Sequence, residues 1–104
     1  MSKNQYIYPA IFHHAKDGIS VQFPDLPGCI TCGHTLEEAL FMAKDALSLH
    51  LYGMEKDNDL IPEPSSLVNI ELKSNEKLRS IEVFMPPFRD ETENKAVKKT
   101  LAIL

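Results

Sequence analysis

The chain has 104 residues, a formal net charge of −4, and 43% hydrophobic against 25% charged residues. That is the balance of one globular domain, burying about two thirds of its unfolded surface. No apolar run approaches the ~20 residues of a membrane helix, and Met1-Ser2-Lys3-Asn4-Gln5 lacks the apolar segment of a secretory signal, so a cytoplasmic protein with reduced cysteines is expected.

In chain order, Tyr6 to His13 reads as a first strand, with Tyr6, Tyr8, Ala10 and Phe12 on one face. Pro9 lacks a ladder donor, which predicts an edge position or a bulge. Lys16-Asp17-Gly18 is a hairpin turn. Ile19, Val21 and Phe23 alternate with Ser20 and Gln22 in a second strand that stops at Phe23-Pro24-Asp25-Leu26-Pro27-Gly28. Cys29 to Cys32 returns as a third antiparallel strand. Thr35 and Glu38 form a capping box that opens a helix from about Leu36 to Tyr52, ended by Gly53. Leu36, Ala39, Leu40, Ala43, Ala46, Leu47, His50 and Leu51 share a stripe for packing on the sheet.

The opposite helix face is less polar than solvent requires. Phe41 and Tyr52 lie three turns apart on one line, with Asp45 and Ser48 between them and Met42 and Leu49 flanking. Aromatic anchors around one acid suit an interface to a protein carrying Arg or Lys. Burial of that face under Leu67 to Leu72 is the alternative, self-association a third. Glu55 to Ser66 is a linker restricted by Pro62 and Pro64. Leu67 to Leu72 is either one helical turn capped by Ser65 or Ser66, or a short strand. Ser80 to Met85 is a strand ended by Pro86-Pro87. Asp90 to Asn94 reads as a flexible tether before a strand-like Ala96 to Leu104.

Candidate chemistry is thin. Cys29-x-x-Cys32 with His34 lacks a second ligand pair for zinc, and extended spacing sends the two thiols to opposite faces, so small structural side chains are expected. His13 and His14 likewise point apart, and His50 falls on the core stripe. Asp17 and Asp25 sit in turns while Glu37 and Glu38 belong to the helix start, leaving no inward carboxylates for a two-metal site before Glu71 and Glu82. No catalytic residue, metal or cofactor is expected, and the protein is read as a non-enzyme.

Tyr8-Pro9-Ala10-Ile11-Phe12, Gly18 to Cys29 with its Pro24-Asp25-Leu26-Pro27-Gly28 turn, Thr35-Leu36-Glu37-Glu38-Ala39-Leu40 and Ile61-Pro62-Glu63-Pro64-Ser65 resemble the HicB antitoxins in order and spacing. The resemblance implies an α+β, truncated RNase H-like domain: a three-stranded antiparallel sheet, one main helix and a further strand. It also implies binding to a HicA-like toxin, a small basic mRNA interferase. Phe41, Asp45, Ser48 and Tyr52 of the outer helix face, with Asp25, are the expected partner-binding set.

Residues 1–88 would form that body. Residues 89–104 would hold a tether and a strand similar to the opening of a ribbon-helix-helix module, with Leu101 and Ile103 inward and Lys98, Thr100 and Ala102 towards DNA. The two helices of that module have no counterpart here, so only weak, salt-sensitive operator binding is expected. A homo-oligomer is expected. An orphan regulatory or scaffold domain, or a minimal RNase H-like nuclease, is the competing function.

Overall fold

A computed structural model of the chain describes residues 3–93. Four strands, β1 (Gln5–Ala15), β2 (Gly18–Gln22), β3 (Ile30–Gly33) and β4 (Glu76–Phe84), form one antiparallel sheet in the order β3-β2-β1-β4. Helix α1 (Leu36–Lys56) lies on one face, and a second helix, α2, covers residues 85–93. The architecture is the expected α+β one, with the further strand paired to β1.

Strand alternation decides the core. Tyr6, Tyr8, Ala10, Phe12, Ile19, Val21, Phe23, Ile81 and Val83 are all buried, against Ala39, Ala43, Leu47 and Leu51 of α1. Small residues set the helix–sheet distance: a Cβ added at Gly33 would lie 2.5 Å from the Ala39 nitrogen. Gly33 therefore lets the first turn of α1 sit directly on the end of β3. Thr35 caps that turn, its Oγ1 accepting from the Glu38 amide at 3.1 Å, while the Glu38 carboxylate accepts from the His34 amide at 2.8 Å. The reciprocal bond thus reaches one residue further back than in the usual capping box.

Pro9 is not on an edge strand. It faces Ser80 of β4, but the register with β2 begins only at Ile11, so no β2 residue stands opposite it. A locally unpaired side of a central strand meets the same need as an edge.

Three expectations are corrected. First, α1 runs through Gly53 to Lys56, and the left-handed residue that turns the chain is Asn58, with φ 57°. Met54 packs on the core and Glu55 is engaged in an ion pair, so another turn is worth more than the ~1 kcal/mol that an interior glycine costs. Second, Leu67 to Leu72 takes the helical alternative, one 3-10 turn over Leu67–Asn69 with Ser66 at its N-cap position, but the expected side-chain capping bond is missing. Third, Pro86-Pro87 end β4 yet open α2, because the first helical turn has amides with no partner to lose. Asp90 to Glu93, expected as tether, is helical, so α2 runs across residue 88.

Candidate partner-binding surface

The exposed side of α1 presents Phe41, Asp45, Leu49 and Gly53 at steps of four, one ridge along the helix. Phe41 is 69% exposed and Leu49 58%. Of the five residues expected at the interface, Phe41 and Asp45 stand on this ridge. Ser48 and Tyr52 are turned the other way: Ser48 is buried, and Tyr52 is half-buried with Phe88 edge-on at 5.9 Å between centroids. The Lys56 ammonium lies 5.3 Å from the Tyr52 ring centre. Helix α2 therefore occupies the lower end of the aromatic line, and Leu49 takes the outward place.

Asp25 is half-buried and accepts from the Ser65 amide at 3.0 Å and from the Ser65 hydroxyl. Together with the Tyr8 hydroxyl, which donates to the Pro62 carbonyl, it ties the segment after α1 to the body. Burial pushes the Tyr8 hydroxyl up to about 12, so it stays a donor at any physiological pH. Lys98, Thr100 and Ala102, expected to face DNA, lie outside the described residues, as do Leu101 and Ile103.

The segment of residues 57–64 forms a strap with an open groove on each side. One groove, of 640 Å³, lies between the strap and the second half of α1, walled by Leu26, Leu49, Met54 and Leu60. The other, of 630 Å³, lies towards β1 and includes Tyr6, Tyr8, Ile61 and Glu63.

The residue that sequence reasoning missed is Arg89. Its guanidinium donates to both Glu55 oxygens, at 3.0 and 2.7 Å, to Asn4 Oδ1 at 3.2 Å and to the Lys3 carbonyl. Glu55 also accepts from the Tyr6 hydroxyl at 3.3 Å. Hydrogen bonding to Glu55 holds Arg89 still more firmly protonated than usual. This fork joins the N-terminal segment, α1 and α2; its only trace in the sequence is a lone arginine among acids.

Elsewhere His13, Glu76 and Cys29 have structural partners, whereas His14 Nε2 and Arg79 Nε are buried with no hydrogen-bond partner among the described residues. Ser20, His13 and Glu76 sit in one cross-strand row. His13 Nδ1 meets Glu76 at 3.4 Å while its Nε2 faces the Asn75 amide nitrogen at 3.1 Å, so the imidazole is engaged with Asn75 rather than aimed at Ser20. Buried Cys29 has its thiol pushed up to about 11 by burial and sits 3.7 Å from the Ala46 carbonyl; Cys32 is exposed. Among the described residues no three metal-ligating side chains converge, and no helix is long and apolar enough to cross a membrane.

Residues 8–87 match the model of the HicB_like antitoxin of bacterial toxin-antitoxin systems. Antitoxin HicB 2 of Photorhabdus laumondii is 47% identical over 66 residues, covering 64% of this chain and 47% of that protein. Antitoxin HicB of Escherichia coli K12 is 43% identical over 61 residues, covering 58% and 44%. The chain thus spans about half the length of the curated relatives it matches. Among solved structures, a chain of a toxin–antitoxin complex from Streptococcus pneumoniae superposes with a TM-score of 0.70 at 17% identity, covering 94% of this chain and 95% of that one. The N-terminal domain of Burkholderia pseudomallei antitoxin HicB gives 0.62 at 19% identity, covering 77% and 100%. The fold is shared with both. With the family match running from the first half of β1 to the opening of α2, the chain belongs to the HicB-like antitoxin family.

Proposed function

We propose that the chain is a non-enzymatic antitoxin of the bacterial cytoplasm that neutralises a HicA-like toxin by direct binding. The observation that carries this reading is the family match over residues 8–87; relatives of the same fold are named as parts of toxin–antitoxin complexes, among them HicA3 and HicB3. The exposed Phe41–Asp45 ridge on an acidic chain supports a basic partner. Phe41 and Asp45 are the primary contacts in this reading. Asp25 supports the surface through its hold on Ser65, Tyr52 acts from beneath by packing on Phe88 of α2, and buried Ser48 contributes packing only. Lys98, Thr100 and Ala102 would serve weak operator contact, and a second copy of the chain is the further partner.

The test is growth rescue together with co-purification. A small basic protein encoded beside this gene is expressed with and without the full chain. Restored growth and a complex surviving gel filtration are expected. A toxic neighbour whose effect the chain leaves untouched refutes the reading.

A further inference from the structure

We infer that the groove between the second half of α1 and the strap is the seat of a basic segment of the protein partner, one that sets an apolar side chain against Leu49 and Leu60 and an Arg or Lys against Asp57 and Asp59. The inference rests on the antitoxin reading and names where, and by what chemistry, the partner is gripped. Leu60 is 92% exposed, held outward on a strap that its neighbours fix. The Asn58 and Asp59 amides donate to the Glu55 and Met54 carbonyls at 3.2 and 2.9 Å, and Pro62 is held by Tyr8. The apolar wall therefore stands ready without ordering cost at binding.

Charge selects the occupant. Asp25, Asp57 and Asp59 line this groove together with His50, and no Lys or Arg does. Asp25 is already committed to Ser65, which leaves Asp57 and Asp59 at the mouth as the groups to meet a cation. Leu49 belongs both to the groove wall and to the ridge carrying Phe41 and Asp45, so the two surfaces are continuous. The groove on the other side of the strap shares Asp59 and Leu60 and adds Glu63, but it includes Lys3, has its Glu55 taken by Arg89, and lacks Leu49 and Asp57. The uncovered sheet face exposes Ile7, Ile30 and Phe84 but shares its register with His13 as well as Glu76 and Glu82. Neither sets two acids without a side-chain partner around an apolar centre clear of Lys and Arg.

The probe is an eight-residue peptide alternating Arg and Leu, with a Glu–Leu peptide of equal length as control, titrated into the 15N-labelled full chain. Salt-sensitive shifts at the amides of Leu49, Gly53 and Leu60 are expected with the basic peptide and none with the acidic one. Asp57→Asn with Asp59→Asn should weaken binding at least about tenfold, as should Leu60→Ser, with circular dichroism unchanged because all three side chains are exposed. Shifts centred elsewhere, no shifts, or equal binding by the variants overturn the inference. Growth rescue separates the two readings: if the triple variant rescues as well as the wild type, the groove is wrong and the antitoxin reading stands. If the peptide binds the groove but no co-encoded toxin is neutralised, the antitoxin reading fails instead.

Discussion

Replacing Arg89 by alanine removes the one cation facing Glu55, whose side chain is 9% exposed against 22% for the arginine. Stripping one partner from a buried pair costs about 3–5 kcal/mol, since the remaining charge is left desolvated. Glu55 keeps the Tyr6 hydroxyl and lies near the rim of the fold, so the lower end applies, about 3 kcal/mol. For a domain this size that is a fall in Tm of about 12–24 °C, readable by urea or thermal unfolding followed at 222 nm. Arg89→Lys keeps the charge but not the two-pronged geometry and should recover part of the loss. Glu55→Leu combined with Arg89→Met removes both charges and should regain more than half of it. An Arg89→Ala protein within about 0.5 kcal/mol of wild type, the range of an ordinary surface substitution, would refute the assignment of Arg89 as the clamp.

Gly33→Ala should destabilise by about 2–3 kcal/mol, because the new methyl meets the Ala39 backbone rather than a movable side chain; unchanged urea midpoints would contradict this. A native thiol assay near neutral pH should titrate Cys32 and leave Cys29 silent, with both reacting in denaturant, and rapid native labelling of Cys29 would be the wrong outcome. Glu76 is held below its ordinary 4.5 by the Lys73 amide first and by His13 second, with partial desolvation opposing. A carboxylate depressed in the folded state stabilises fully above its unfolded pKa and loses that contribution as pH falls through the folded one. The gap in urea midpoint between wild type and Glu76→Gln should therefore shrink as pH falls from about 5.5 and close below about pH 4; a gap that grows over that acid range has the wrong sign. Phe41→Ala should leave folding stability within about 0.5 kcal/mol, whereas Tyr52→Ala, losing its packing on Phe88, should cost about 2 kcal/mol; equal effects would mean the two rings share one environment.

Much of the fold was legible because it rests on local signals. The alternation of Ile19, Val21 and Phe23 fixes a strand without any tertiary information, and Thr35 with Glu38 marks the helix start within four residues. The helix stripe was less complete. Hydrophobic period assigns the side facing the sheet, and Ala39, Ala43, Leu47 and Leu51 are buried as expected. It cannot show that a second helix arrives beside Tyr52, since that packing depends on residues 85–93. Pro86-Pro87 is compatible with both a strand stop and a helix start, and what separates them is Arg89 meeting a carboxylate on α1, a contact no local pattern encodes. Ser48 and Tyr52, two of the five expected interface residues, are therefore turned inward, while Phe41 and Asp45 kept their outward positions.

The pairing of β1 with β4 also governs the order in which the molecule can be made. Gln5 is matched with Phe84 and His13 with Glu76, so the long seam that adds edge strand β4 to the sheet closes only after nearly the whole body has been synthesised. The hairpin β1-β2, strand β3 and α1 involve neighbours in the chain and can associate early, but the N-terminal half of β1 then has no partner on either side. Closing that distant loop is the slow, entropically costly step. Until residue 84 has left the ribosome, Tyr6 and Tyr8 lack the strand beside them, and the nascent domain is an open target for proteases and for unwanted strand pairing.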